Sequence, residues 1–189
     1  MPEEKKLPYD LSNTLVIGIS TRSLFDLEEE NRIFEEQGLE AYRAHQLKHE
    51  ADPPAKGTAF HLVEGLLRLN RYRKGNSGLP PLVEVVIMSR NDAGIGLRIL
   101  NAIEHYGLDI TRAAFTSGTP LSDYLDAFSV DLFLSKYHGD VQAALRAGVA
   151  AARIEEPPHG FEPDTEKIRI AFDGDAVIFS DESERIYQQ

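Results

Sequence analysis

Two aspartates separated by a single glycine, Asp173 and Asp175 in the stretch IRIAFDGDAVIFSDE (Ile168–Glu182), are the residues of this sequence best suited to chemistry. An apolar run, Ile168 to Phe172, leads into them and a second, Ala176 to Phe179, leads away. At the tip of a buried strand, one such carboxylate can attack phosphorus while the other moves a proton to the leaving oxygen. Both also present hard oxygen ligands of the kind magnesium takes. The same letters fit a plainer structure, a β-hairpin closed by a two-residue Asp-Gly turn. Spacing alone leaves both readings open.

A catalytic loop of this kind needs a sheet behind it, and the preceding chain has the pattern of one. Asn13 to Ser20 (NTLVIGIS) and Leu82 to Ser89 (LVEVVIMS) are near-continuous apolar runs, the mark of strands buried on both faces. Shorter strands are expected around Ala113 to Thr116, Val130 to Leu134 and Ala151 to Ile154. Helical patterns alternate with them. Glu28 to Glu50 reads as helix broken at Gly38, with an acidic start that suits the helix dipole. Thr58 to Arg73 carries Phe60, Val63, Leu67 and Leu69 towards one side. Asn91 or Asp92 caps a helix that buries Ile95, Ile99, Leu100 and Ile103 and stops near Gly107. After Ser117-Gly118-Thr119-Pro120 a helix runs through Phe128, and Asp140 caps the helix bearing Val141, Ala144, Leu145 and Val149. Strands alternating with helices predict an α/β fold with a parallel sheet covered on both faces. Residues 1–13 read as a polar arm and 155–167 as a Pro- and acid-rich linker.

Bulk properties narrow the function. A chain of 189 residues can bury a real core, and 42% hydrophobic residues with 27% charged describe a globular protein. Net charge is −11, which argues against a nucleic-acid polymer as partner. There is no cysteine, which excludes disulfides, a thiol nucleophile and cysteine-held zinc. The N-terminus lacks the apolar core of a signal peptide, and no apolar run reaches spanning length, so a cytoplasmic protein with no membrane partner is expected.

FDGDAVIFSDESERI resembles the first motif of the haloacid-dehalogenase-like phosphohydrolases, in the form carried by the cytosolic type I 5′-nucleotidase family. ISTRSLFDLEEENRIFEEQGLEAY, HQLKHE, LRILNAIEHYGLDI and AALRAGVAAARI are also similar to that family's N-terminal half. The resemblance implies a Rossmann-like parallel sheet with a small helical cap, at about residues 28–78, inserted after the first strand. It implies magnesium-dependent hydrolysis of nucleoside 5′-monophosphates such as AMP or IMP, with Asp173 forming an aspartyl-phosphate. Asp175 would protonate the leaving ribose oxygen and then activate water. The Asp173 carboxylate and the Asp175 carbonyl would hold the Mg2+. A homo-oligomer is expected.

An ungapped internal overlay supports a tandem arrangement. Subtracting 153 carries Asp173 to Ser20, Asp175 to Arg22 and Arg185-Ile186 to Arg32-Ile33. Measured against the superfamily pattern, residues 14–154 form a degenerate unit: the nucleophile position is Ser20 and the acid/base position Arg22. Leu121 replaces the lysine after Gly118-Thr119-Pro120, and Ser135-Lys136 replace the paired metal acids. The phosphate-binding hydroxyl is retained as Ser89, with Arg90 beside it as a phosphate contact or a surface ion pair. Residues 168–189 then open a second unit bearing the intact motif. On this reading the chain is an N-terminal half plus the first motif of the second half, which is inactive alone if it is a fragment. The alternative function is a non-catalytic module that binds nucleotide or mediates oligomerisation.

Three weaker signals point elsewhere. His45 and His49 in HQLKH have zinc-protease spacing, but Gln46 stands where glutamate is needed, so a solvated helix face is expected. Gly94-Ile95-Gly96 lacks the third glycine of a dinucleotide loop. Lys136, at a metal-acid position, is expected in solvent.

Overall fold

The computed structural model describes residues 10–73, 80–157, 159–162, 164, 167–172 and 186. Asp173 and Asp175 lie outside the described residues, as do the second apolar run and any pairing of it, whether hairpin or sheet.

Five parallel strands form one sheet in the order β3-β2-β1-β4-β5. They are β1 (Leu15–Ser20), β2 (Val83–Ser89), β3 (Arg112–Phe115), β4 (Leu132–Ser135) and β5 (Ala150–Arg153). The five strands expected up to Ile154 are present, their ends moved by one or two residues. Ile168–Phe172, expected as a buried strand, forms none: it pairs with no strand of the sheet, and Ile170 and Phe172 are exposed. The alternation along β1 divides the core in two. Ile17 and Ile19 face one layer with Phe60, Val63, Ile99, Ala102 and Ile103. Val16 faces the other with Met88, Leu121, Leu125, Phe133 and Ala144. Helices α4 (Phe60–Arg68) and α5 (Ala93–His105) supply the first layer. The short α6 (Ser122–Leu125) and α7 (His138–Arg146) supply the second. This is the α/β architecture with both faces covered that the sequence predicts. Fully burying one such Ile, Leu or Phe side chain is worth about 1.5–3 kcal/mol, so the two layers drive the assembly.

A single turn, α1 (Thr21–Leu24), follows β1, and two antiparallel-patterned helices come next, α2 (Glu28–Gln37) and α3 (Leu39–Lys48). Gly38 parts them as expected, with φ at 84°, a conformation open to glycine and costly for other residues. This hairpin is the helical insertion after the first strand. Its successor α4 packs into the sheet's core rather than with the hairpin.

Several side chains differ from the sequence reading. Leu100 is 43% exposed, because α5 turns Ile99 and Ile103 inward and places Leu100 on the flank. Leu69 leaves the face of Phe60 and Val63 because α4 tightens into a 3-10 turn at Leu69–Tyr72. The helix after Pro120 ends at Leu125, with only a turn reaching Phe128. Asp140 does not cap α7, which begins two residues earlier at His138; its buried carboxylate is taken by Arg90.

A polar bolt fixes the helical insertion to the sheet layer. The guanidinium of Arg98 on α5 is buried; its Nη1 donates to Glu30 of α2 and, at 3.0 Å, to Gln46 of α3. Its Nε donates to the Asp52 carbonyl at 2.9 Å. Gln46 donates in turn to the Tyr42 hydroxyl at 3.0 Å, which accepts from Asn91 Nδ2 at 2.8 Å. Burial raises the Tyr42 phenol's pKa against the opposing hydrogen bonds from Gln46 and Asn91.

Candidate functional site

The carboxyl ends of the central strands open into a cleft of about 670 Å3 under the α2–α3 hairpin. Strand order reverses between β1 and β4, so this crevice lies at the switch point where parallel α/β sheets bind ligands. Register brings three serines to its floor. Beyond the last pairs, Ile19 with Leu134 and Ser20 with Met88, come Ser135 and Ser89. Ser89 and Ser135 are buried, and each Oγ accepts a backbone N–H two residues on, from Asn91 at 3.2 Å and from Tyr137 at 3.1 Å. Ser20 Oγ lies 2.8 Å from Ser23 Oγ.

Cations ring this floor. Arg22 reaches from α1, with Nη1 on Asn31 at 2.8 Å and Nη2 on Glu28 at 2.8 Å. Its Nε is shut from solvent with no partner among the described residues. Lys136 follows β4 and is only 14% exposed, not in solvent as the sequence predicts. Its ammonium is held by Glu28 at 3.3 Å and by Glu156 at 2.6 Å. Burial acts to lower the Lys136 pKa, but hydrogen bonds and charge from Glu156 and Glu28 outweigh it and leave the value raised. Glu156 is lowered, chiefly by its bond to Lys136. Glu28 is lowered too: its burial opposes this and is overcome by Arg22 and Lys136.

Of the residues expected to hold phosphate, both line the cleft: Ser89 on its floor and Arg90 at its side. Arg90 is paired to Asp140 and lies 5.4 Å from the Tyr137 ring. Burial lifts the Asp140 carboxyl above its usual range, with Arg90 opposing. The other two expected site residues, Asp173 and Asp175, lie outside the described residues.

The strand ends at the cleft carry hydroxyls and cations. Ser20, Arg22, Ser135 and Lys136 line it near the strand ends, and none of the four is a carboxylate. No group of three or more His, Asp or Glu residues placed to hold a metal occurs among the described residues. An ammonium and a guanidinium at the switch point repel a divalent cation, so these residues do not fit magnesium.

Two features escaped the sequence reading. Gln46 is buried as a link between Arg98 and Tyr42, and the solvated face expected of HQLKH belongs only to its flank. The His45 and His49 rings lie 4.5 Å apart, tilted by 34°, each beside a carboxylate: Glu30 at 3.6 Å and Asp52 at 2.9 Å. A signal for the bolt was present, since Arg98 falls within the apolar stripe of α5 beside Ile99 and Ala102. The engagement of Lys136 by Glu156 had none, because the two are twenty residues apart across a helix and a strand.

A sequence model of the 5′-nucleotidase family matches residues 7–189. The human protein cytosolic 5′-nucleotidase 1B is 35% identical over 178 residues, 94% of this chain and 29% of the human protein. The chain therefore spans less than a third of the length of that relative. Two solved structures overlie it more loosely. A dehalogenase crystal structure gives a TM-score of 0.48 at 13% identity over 82% of this chain and 89% of that one. The HAD domain of the effector protein Lem4 from Legionella pneumophila gives 0.43 at 12% identity, over 79% and 89%. Among the described residues no helix is long and apolar enough to cross a membrane.

Proposed function

The chain belongs to the 5′-nucleotidase family, and on that premise we propose that it carries the phosphoryl-accepting motif of an enzyme hydrolysing nucleoside 5′-monophosphates to nucleoside and phosphate. The observation that carries this reading is that the family match runs through residue 189 and so includes Asp173-Gly174-Asp175. The relative named a cytosolic 5′-nucleotidase supports the same substrate class and a cytosolic setting.

The reaction divides into two displacements. Asp173 attacks phosphorus, the P–O bond to the ribose breaks, and Asp175 gives its proton to the departing 5′ oxygen. Asp175, now a carboxylate, takes a proton from water as that water attacks the aspartyl-phosphate. This frees phosphate and restores both groups. Magnesium, held by the Asp173 carboxylate and the Asp175 carbonyl, would supply positive charge against the phosphoryl oxygens. The cleft residues Ser20, Arg22, Ser135 and Lys136 take no part in bond making. Homo-oligomerisation goes with the proposal as an expectation for the assembled enzyme.

The test is phosphate release from AMP and IMP in the presence of magnesium by the protein and its Asp173→Asn variant. Release that falls at least about a thousandfold in the variant is expected, as for loss of a group acting only in the transition state. Equal release by both proteins contradicts the reading.

A further inference from the structure

We propose that the cleft at the β1–β4 switch point is a metal-free binding site for a phosphate monoester, and that Glu156 occupies part of it when the ligand is absent. The argument begins with charge. Every acid lining the cleft has a partner: Glu30 has Arg98, Asp92 has Arg43, Asp140 has Arg90, and Glu35 accepts from Asn31 at 2.8 Å. That leaves Arg22 and Lys136, which flank the switch point and are met by Glu28 and Glu156. Two carboxylates against two cations present the same charge balance as one phosphate dianion, which gathers it on a single centre. Such a dianion accepts several charge-assisted hydrogen bonds at once.

The carboxylates are suited to exchange. Glu156 is 72% exposed and Glu28 51%, and ion pairs of exposed groups hold weakly. Among the described residues one buried donor is unmatched, Arg22 Nε, and the Ser20 and Ser23 hydroxyls lie at the end of β1 and in α1 beside it. Volume and lining fit a body attached to the phosphate. The cleft's roughly 670 Å3 lies within the range of small-molecule sites, and its outer wall carries Phe34, Leu39 and Tyr137, all substantially exposed. An aromatic ring seated there would cover apolar surface that now meets water.

Glu156 makes the site a coupling point. It follows β5, receives the Thr58 hydroxyl at 3.1 Å, and lies on the segment that leads to Asp173. Phosphate on Lys136 displaces Glu156 and so loosens that segment from the cleft. The assignment is separate from the catalytic one, since it uses neither Asp173 nor Asp175.

The experiment is titration of the 189-residue chain with inorganic phosphate by calorimetry in EDTA, then with AMP on the Asp173→Asn variant. Saturable binding without metal is expected, tighter for AMP than for inorganic phosphate. Lys136→Gln should weaken it about tenfold or more, the loss of one charge-assisted bond. Glu156→Gln, at an exposed position that does not threaten folding, should strengthen it about two- to fivefold by removing the internal competitor. Absence of saturable binding in EDTA overturns the inference, as does binding indifferent to both substitutions. Phosphate binding abolished by Asp173→Asn would also overturn it, by placing the anion at the other motif, while leaving the catalytic proposal intact.

Discussion

Replacing Arg98 by methionine tests how the helical insertion is held over the cleft. The guanidinium is buried, its carboxylate partner Glu30 is equally buried, and it bonds elements as distant as α2, α3 and the Asp52 turn. Removing it leaves the buried Glu30 carboxylate with only His45 at 3.6 Å beside it and takes the donor from the Gln46 and Asp52 oxygens. Breaking a buried pair in this way costs about 3–5 kcal/mol. In a chain of this size that corresponds to roughly 6–20 °C in Tm. Urea unfolding followed by circular dichroism reads the change directly. The double variant Glu30→Leu with Arg98→Met removes both charges at once, and should recover most of the loss because apolar replacement of a buried pair is often near neutral. A single-variant cost below about 1 kcal/mol, or a double variant no better than the single, would refute the bolt as a buried ion pair.

Two further perturbations probe the surroundings of the cleft. An alanine Cβ at Gly65 would stand 2.7 Å from Ile168 Cγ1, where that side chain packs on the main core layer. Gly65→Ala gains about 1 kcal/mol of helix propensity, which offsets the clash, so global stability should move by less than about 1 kcal/mol. Methyl NOEs between Ile168 and α4 should nevertheless be lost, and their persistence would contradict this packing.

The second is a pH effect. Glu28 and Glu156 are held below the ordinary carboxylate value of 4.5, so their contribution is complete above that pH and fades as pH falls through the lowered values. Lys136 is raised above 10.5, so its contribution is complete below that pH and fades only as pH rises through the raised value. Carboxyl NMR titrations should show both glutamates moving back up in Lys136→Gln, and an unchanged Glu156 titration would count against the contact.

The sheet was legible because its signal is local. NTLVIGIS and LVEVVIMS are apolar runs that hardly fit anything but buried strands, and Gly38 could be read as a break. Helix faces were legible to within one residue, and that margin decided Leu100, which sits beside the buried Ile99 on the flank of α5. What the sequence hid were pairings across the fold. Lys136 in isolation is a surface residue; only the arrival of Glu28 from α2 and Glu156 from beyond β5 covers it and pairs its charge. Asp140 read as a cap because a short polar side chain near a helix start usually is one. Arg90, fifty residues earlier, claims it instead. The residue types Ser20, Arg22, Ser135 and Lys136 could be read from the sequence, and the structure gathers them at one crevice.

The central claim is that phosphoryl transfer passes through Asp173 and not through that crevice. Its most direct measurement is to quench turnover of AMP in the presence of magnesium, reduce with borohydride, and read the peptide spanning residues 168–182 by mass spectrometry. Borohydride converts an aspartyl-phosphate to homoserine, so the account predicts homoserine at position 173 and no modification at Ser20 or Ser135. Phosphate released with Asp173 unmodified, or a phosphoryl group trapped on a crevice serine, would contradict it.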